Sequence, residues 1–241
     1  MRSLACRVAA VAAGLFIAAQ TWAETPIHHV TSDVCGECHK EIYKQWKGSM
    51  HANSSAMNDP IHATFYKKVA GDPTKEGVTL KANNKFPVCL NCHAPNAARD
   101  KTTKLDANPA YSEGVNCVAC HTLAKYNGID LPDGKMQLGL KAYDLSDKIQ
   151  APAGFQRGVQ ELTAGSDPFG GAAGAEADSK PNPHLGEAVT LEGKEIPSLP
   201  MESNPVQLKT SDACMGCHDK RNNPHGVALC QTGDEYQISK S

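Results

Sequence analysis

Four segments of the chain repeat one five-residue frame: Cys35-Gly36-Glu37-Cys38-His39, Cys89-Leu90-Asn91-Cys92-His93, Cys117-Val118-Ala119-Cys120-His121 and Cys214-Met215-Gly216-Cys217-His218. Two thiols three positions apart can add to the two vinyl groups of haem, and a histidine directly after them is placed by the same turn to bind the iron. Paired Cys-x-x-Cys units also build zinc ribbons and thioredoxin-like redox pairs, but neither asks for a histidine in the fifth position. Histidine supplies 10 of 241 residues, so its presence in all four frames by chance is a matter of roughly a few in a million. The same repeat sets aside a disulfide framework, the ordinary use of cysteine in an exported chain. The frames predict four covalently bound haem c groups, with thioethers at Cys35, Cys38, Cys89, Cys92, Cys117, Cys120, Cys214 and Cys217 and proximal iron ligands at His39, His93, His121 and His218.

The sixth position on each iron decides the chemistry. An open position permits ligand binding or reduction, whereas a second imidazole leaves electron exchange. His28, His29, His51, His62, His184 and His225 lie outside the frames, enough to fill four sites with two to spare. His225 follows His218 by seven positions, and Arg221-Asn222-Asn223-Pro224 turns the chain back toward a neighbouring haem. His62, in the first turn of an expected helix, reads as a surface or capping residue. Met50, Met57, Met136, Met201 and Met215 could compete as axial ligands but read as packing. Outside the haem sites no catalytic constellation is present; the Asn53-Ser54-Ser55 match to a glycosylation acceptor carries little weight, and Cys230 has no assigned role.

The elements that must position these groups are sparse. Aromatic residues make up 5% of the chain, and 20 Gly with 15 Pro interrupt it, so side chains alone give a thin core for this length. Haem rings supply the missing apolar interior. The expected fold is therefore a mostly irregular multihaem cytochrome with a few short α-helices, little β-structure and a haem-stacked core. Arg2 and Arg7, the apolar run Val8 to Ala19, and Thr21-Trp22-Ala23 form an export signal over 1–23, too short to span a bilayer. Residues 24–241 are then one tetrahaem domain without a transmembrane segment. Loss of the two arginines leaves 22 basic and 26 acidic groups; this balance excludes a nucleic-acid binder. Apolar residues at Val34, Cys38, Ile42 and Trp46 share one helical face up to Gly48, and a second helix is expected over Ile61 to Val69. Thr31-Ser32-Asp33 and Thr210-Ser211-Asp212 each place cap-forming residues before a frame. The span 122–213 shows no sustained periodicity and reads as ordered loop over haem faces, with a flexible linker as the alternative.

The first frame followed by Lys40, Trp46, His51-Ala52 and Met57, together with Gly114-Val115-Asn116 before the third frame, resembles the cytochrome c554 family of tetrahaem proteins over Thr31 to His121. The resemblance implies that His51 crosses over to the iron of the third frame. Thr122-Leu123-Ala124 departs from the family's Gly-Pro-Gly and following histidine, so the first haem needs another distal ligand, for which Pro-flanked His184 is the candidate. Size, the four frames, the export signal and the His28-His29 pair also resemble the filament-forming outer-surface cytochromes of metal-reducing bacteria. That implies a head-to-tail homopolymer in which His28 or His29 ligates an iron of the next subunit, and electron transfer to other redox proteins or to metal oxides and other extracellular acceptors. The alternatives are a soluble periplasmic shuttle and an enzyme of nitrite or hydroxylamine chemistry at one open iron.

Overall fold

The computed structural model describes residues 25–151, 182–204, 206, 208–219, 221–222 and 228–239. The export signal, the Gly-rich stretch 164–174 and His225 lie outside the described residues.

Short helices carry the attachment frames. The first frame straddles α1 (Ser32–Gly36) and α2 (Lys40–Lys47). The second begins α4 (Leu90–His93), which α5 (Pro95–Arg99) follows at once. The third is α7 (Cys117–His121) and the fourth closes α8 (Asp212–His218). Between them lie α3 (Pro60–Val69) and α6 (Pro109–Ser112), with α9 (Thr232–Ser239) last. The expected continuous face from Val34 to Trp46 is interrupted where α1 ends and His39 caps α2. The helix expected from Ile61 begins one residue earlier, because Asp59 accepts from the Ile61 and His62 amides while Pro60 needs no acceptor. Thr31 and Ser211 do stand at N-cap positions, yet neither side chain makes a cap hydrogen bond. Asn116 does, accepting from the Ala119 amide at the head of α7.

The span 122–213 departs from pure loop. β1 (Leu123–Tyr126) pairs antiparallel with β2 (Tyr143–Leu145), and β3 (Ile149–Ala151) pairs in parallel with β6 (Met201–Ser203). β4 (Val189–Leu191) and β5 (Lys194–Ile196) form a hairpin, and β7 (Arg221–Asn222) pairs with β8 (Ala228–Cys230). All are two-stranded ribbons, which have too little shared face to make a core alone.

Buried apolar side chains gather in three small clusters, each against one frame. Tyr66, Leu90, Leu105 and Tyr111 pack by the second frame. Ile27, Val30, Val118, Ile149 and Ile196 surround the third. Leu123, Ile129, Ala142 and Tyr143 form the last, where the Tyr143 hydroxyl donates to Asp212 O and accepts from the Gly216 amide of the fourth frame. Meanwhile α2 has no buried side chain, and Ile61 and Phe65 on α3 are 81% and 58% exposed. Amphipathic helices with bare apolar faces are what a chain built around large apolar cofactors requires.

One close approach ties the second half of the c554-like segment to the first. Gly114 has φ +73°, and a Cβ there would stand 2.4 Å from His51 O and 2.6 Å from Ser54 Oγ. Val115 N then donates to His51 O at 2.9 Å. Gly114→Ala must both strain the backbone and displace the His51 loop, whereas Gly77→Ala, at φ +72° with nothing within 4 Å among the described residues, adds strain alone. Strain of this kind costs about 1 kcal/mol, and overpacking adds about 1–3 kcal/mol. Urea unfolding of the haem-loaded protein is expected to rank Gly114→Ala well below Gly77→Ala; equal midpoints would show that the approach is not tight.

Candidate haem sites

The structure sorts the histidines into facing pairs. His39 of the first frame lies with its ring centre 6.2 Å from that of His184. His218 of the fourth lies 5.9 Å from His51, and His93 of the second lies 4.1 Å from His62. Two imidazoles bound through nitrogen to one metal, at about 2.0 Å each, have ring centres about 6 Å apart. The first two pairs meet that spacing without adjustment. The third is about 2 Å short of it, so its rings must part to admit an iron, and one of them must then give up the Ser54 carbonyl that both now share.

Hydrogen bonding decides which ring nitrogen is available. The Nδ1–H groups of His62 and His93 both donate to Ser54 O, at 2.9 and 3.1 Å. His184 Nδ1 donates to Leu199 O at 3.0 Å and His121 Nδ1 to Gln150 O at 3.1 Å. A backbone carbonyl on Nδ1 fixes the tautomer that leaves the Nε2 lone pair bare, as metal ligation requires. His62 Nε2 is buried without a hydrogen-bond partner, a costly arrangement unless something binds that lone pair. Burial, reinforced for His39 by His184 and His121, lowers the pKa values of His39 and His184, favouring the neutral form that ligates. The residues present fit haem at these positions.

Two expectations need correction. His51 sits beside His218 of the fourth frame, not His121 of the third, because the Gly114 approach holds its backbone while α8 supplies the facing ring. His62 is no surface cap: Asp59 performs the capping, and the His62 ring turns inward at 8% exposure. Its spacing from the Pro60 helix start was visible in the sequence, but only the Ser54 carbonyl shows its direction. His184 stands opposite His39, the frame for which it was the candidate.

His28 and His29 are not a loose terminus. They end a 3-10 turn, Ile27–His29, and both rings reach Asp100. Burial opposes ionisation of that carboxyl, yet hydrogen bonds from Tyr111, His29 and His28 hold it down at about 2. Burial lowers the pKa of His28 in spite of its bond to Asp100.

Attachment positions from different frames also meet. The Cys35 and Cys117 side chains lie beside each other, and Cys120 and Cys214 are near enough to interact electrostatically. Tyr143 braces α8, while Asn91 of the second frame lies against Gly139 just before it. Glu113 locks the first frame to the third: its carboxylate accepts from Ser32 N, Ser32 Oγ and Asn116 Nδ2 at 3.0–3.2 Å. Met215 is buried, in keeping with packing, while Met50 is 69% exposed.

Attachment frames, the buried and unpartnered Nε2 of His62 and a scaffold of small clusters are the features of a multihaem c-type cytochrome fold. The cytochrome c554 and c-prime family matches residues 34–122. A solved penta-heme cytochrome c552 from Thermochromatium tepidum is 61% identical, with a TM-score of 0.76 over 90% of this chain and 52% of that one. The chain thus spans about half the length of that relative. No curated protein matches. Among the described residues no helix is long and apolar enough to cross a membrane.

Glu113 yields a pH test. Burial raises its pKa despite the Asn116 and Ser32 bonds. A carboxyl whose folded pKa exceeds its unfolded value, about 4.3, contributes most below that value, and the contribution is lost as pH rises through the folded pKa. Wild-type protein is therefore expected to lose stability relative to Glu113→Gln as pH climbs from about 4 toward neutrality. Unfolding midpoints diverging in the opposite sense would overturn the assignment.

Proposed function

We propose that the protein carries electrons through four covalently bound haem c groups, attached at the four Cys-x-x-Cys-His frames and ordered in space as first, third, fourth, second. Haem supplies reversible one-electron iron chemistry; the chain positions, ligates and shields it. The observation that carries the reading is the set of contacts between frames. Cys35 meets Cys117, Cys120 approaches Cys214, and the 139–143 segment touches both Asn91 and Gly216. Rings fixed at neighbouring attachment points divide one long electron jump into short ones.

His39 with His184, His51 with His218 and His62 with His93 are assigned as axial pairs, the first two supported by ring spacing, the first also by the carbonyl bond to His184 Nδ1, and the third by the buried, unpartnered Nε2 of His62 beside His93. Two histidines per iron favour electron exchange over substrate chemistry at those sites. With His51 facing His218, His225, outside the described residues, is left as the partner for His121. The export signal read over 1–23 supports a mature chain in the periplasm or beyond it, passing electrons to other redox proteins. A head-to-tail polymer through His28 or His29 draws no support from this arrangement, since Asp100 of the same chain engages both rings.

The intact mass of the exported protein is expected to exceed that of the processed polypeptide by four haems; a smaller increment overturns the count. His62→Ala should convert one haem from low-spin to high-spin ferric iron in the electron paramagnetic resonance spectrum, leaving the others unchanged. An unaltered spectrum would remove His62 from the ligand set. A high-spin signal already present in wild type at the second frame would favour the open-iron enzyme.

A further inference from the structure

We propose that His28, His29 and Asp100 form a binding site for one divalent transition-metal ion of the zinc class, separate from the haems. Neighbouring residues in a 3-10 turn normally project about a third of a turn apart. Here two consecutive imidazoles converge, with ring centres 4.6 Å apart, on the single carboxylate of Asp100. His28 Nε2 is 2.7 Å from Oδ1 and His29 Nε2 is 2.5 Å from Oδ2. Three potential donor atoms, one per residue, lie within 4.8 Å of one another.

The cluster is partly withdrawn from solvent and braced from behind. His28 is 9% exposed, and its Nδ1 is buried with no hydrogen-bond partner. Tyr111 supplies what a ligating carboxylate needs from its surroundings: its hydroxyl donates to Asp100 Oδ2 and lies 3.0 Å from His29 Nε2. Such outer contacts fix the direction in which a carboxylate presents its remaining lone pairs.

The donor set selects the ion. Two imidazoles and one carboxylate suit zinc and its transition-metal neighbours; calcium and magnesium prefer oxygen donors throughout. Three protein ligands leave a fourth position to water. Ligand atoms around a tetrahedral ion with bonds of about 2.0 Å stand about 3.3 Å apart, so the rings need to withdraw from the carboxylate by less than about 1 Å. Side-chain exposures of 25% for His29 and 31% for Asp100 give the ion a path from solvent.

The test uses the haem-loaded protein, stripped with a chelator and then dialysed against buffered Zn²⁺, with bound zinc counted per chain by elemental analysis. One tightly held zinc is expected, with affinity at least about tenfold weaker in Asp100→Asn and in His29→Gln. The haem absorption spectrum shows whether each variant has folded. Absence of a stoichiometric zinc in wild type overturns the site. Equal affinity in wild type and in either folded variant also overturns it, because the zinc then binds elsewhere, on haem propionates or surface carboxylates. The outcome does not depend on the electron-carrier reading, since zinc is redox-inert and its count is made whatever the haems do.

Discussion

A backbone carbonyl that takes the Nδ1 proton of an imidazole determines which nitrogen the ring can offer a metal. Ser54 O takes that proton from two rings, His62 and His93. The loop that carries Ser54 therefore controls the second frame. It also controls the fourth, because His51, three residues earlier, faces His218 and is pinned through its own carbonyl to Val115. One short stretch between α2 and α3 thus positions the rings that face two frames. Its conformation depends on Gly114 having no side chain.

The same logic explains the dispersed core. Buried clusters of seven or eight residues, each beside an attachment turn, cannot hold so long a chain in register. Polar cross-links between frames do part of that work. Glu113 bridges Ser32 and Asn116, Trp46 Nε1 donates to Val115 O at 2.8 Å, and Asn116 Nδ2 donates to Val30 O at 3.2 Å. Each joins the beginning of the first frame's neighbourhood to the approach of the third. Covalent attachment of haem adds the apolar mass that α2 and α3 lack.

Much of the site was legible because its chemistry is local. Thioether attachment and proximal ligation need five consecutive residues, so every frame could be read directly. The rings that face the frames come from elsewhere in the chain, and sequence alone placed them imperfectly. His184 was recognisable from its proline-stiffened loop, and Asn182 does cap that turn by accepting from His184 N at 2.9 Å. His62 was hidden because position in a first helical turn says nothing about the direction of the side chain. The strands of 122–213 escaped notice for a different reason: ribbons of three or four residues are shorter than any window in which alternation can be measured. Val189-Thr190-Leu191-Glu192-Gly193-Lys194-Glu195-Ile196 nevertheless carries a hairpin signal, a Gly-containing two-residue turn between short β-prone runs.

The His28-His29 pair shows where a resemblance and a structure part. In isolation, two histidines near a mature terminus are free donors, and a filament needs such donors. Asp100 changes the energetics. To ligate an iron in another subunit, either ring must abandon a charge-assisted bond, and His28 must also leave a buried position beside Ile27 and Val30. Burial of Ile27 and Val30 against Val118 anchors the turn itself to the third frame. The residues that made polymerisation conceivable are thus tied into the subunit's own packing, and releasing them would disturb the neighbourhood of a haem attachment turn.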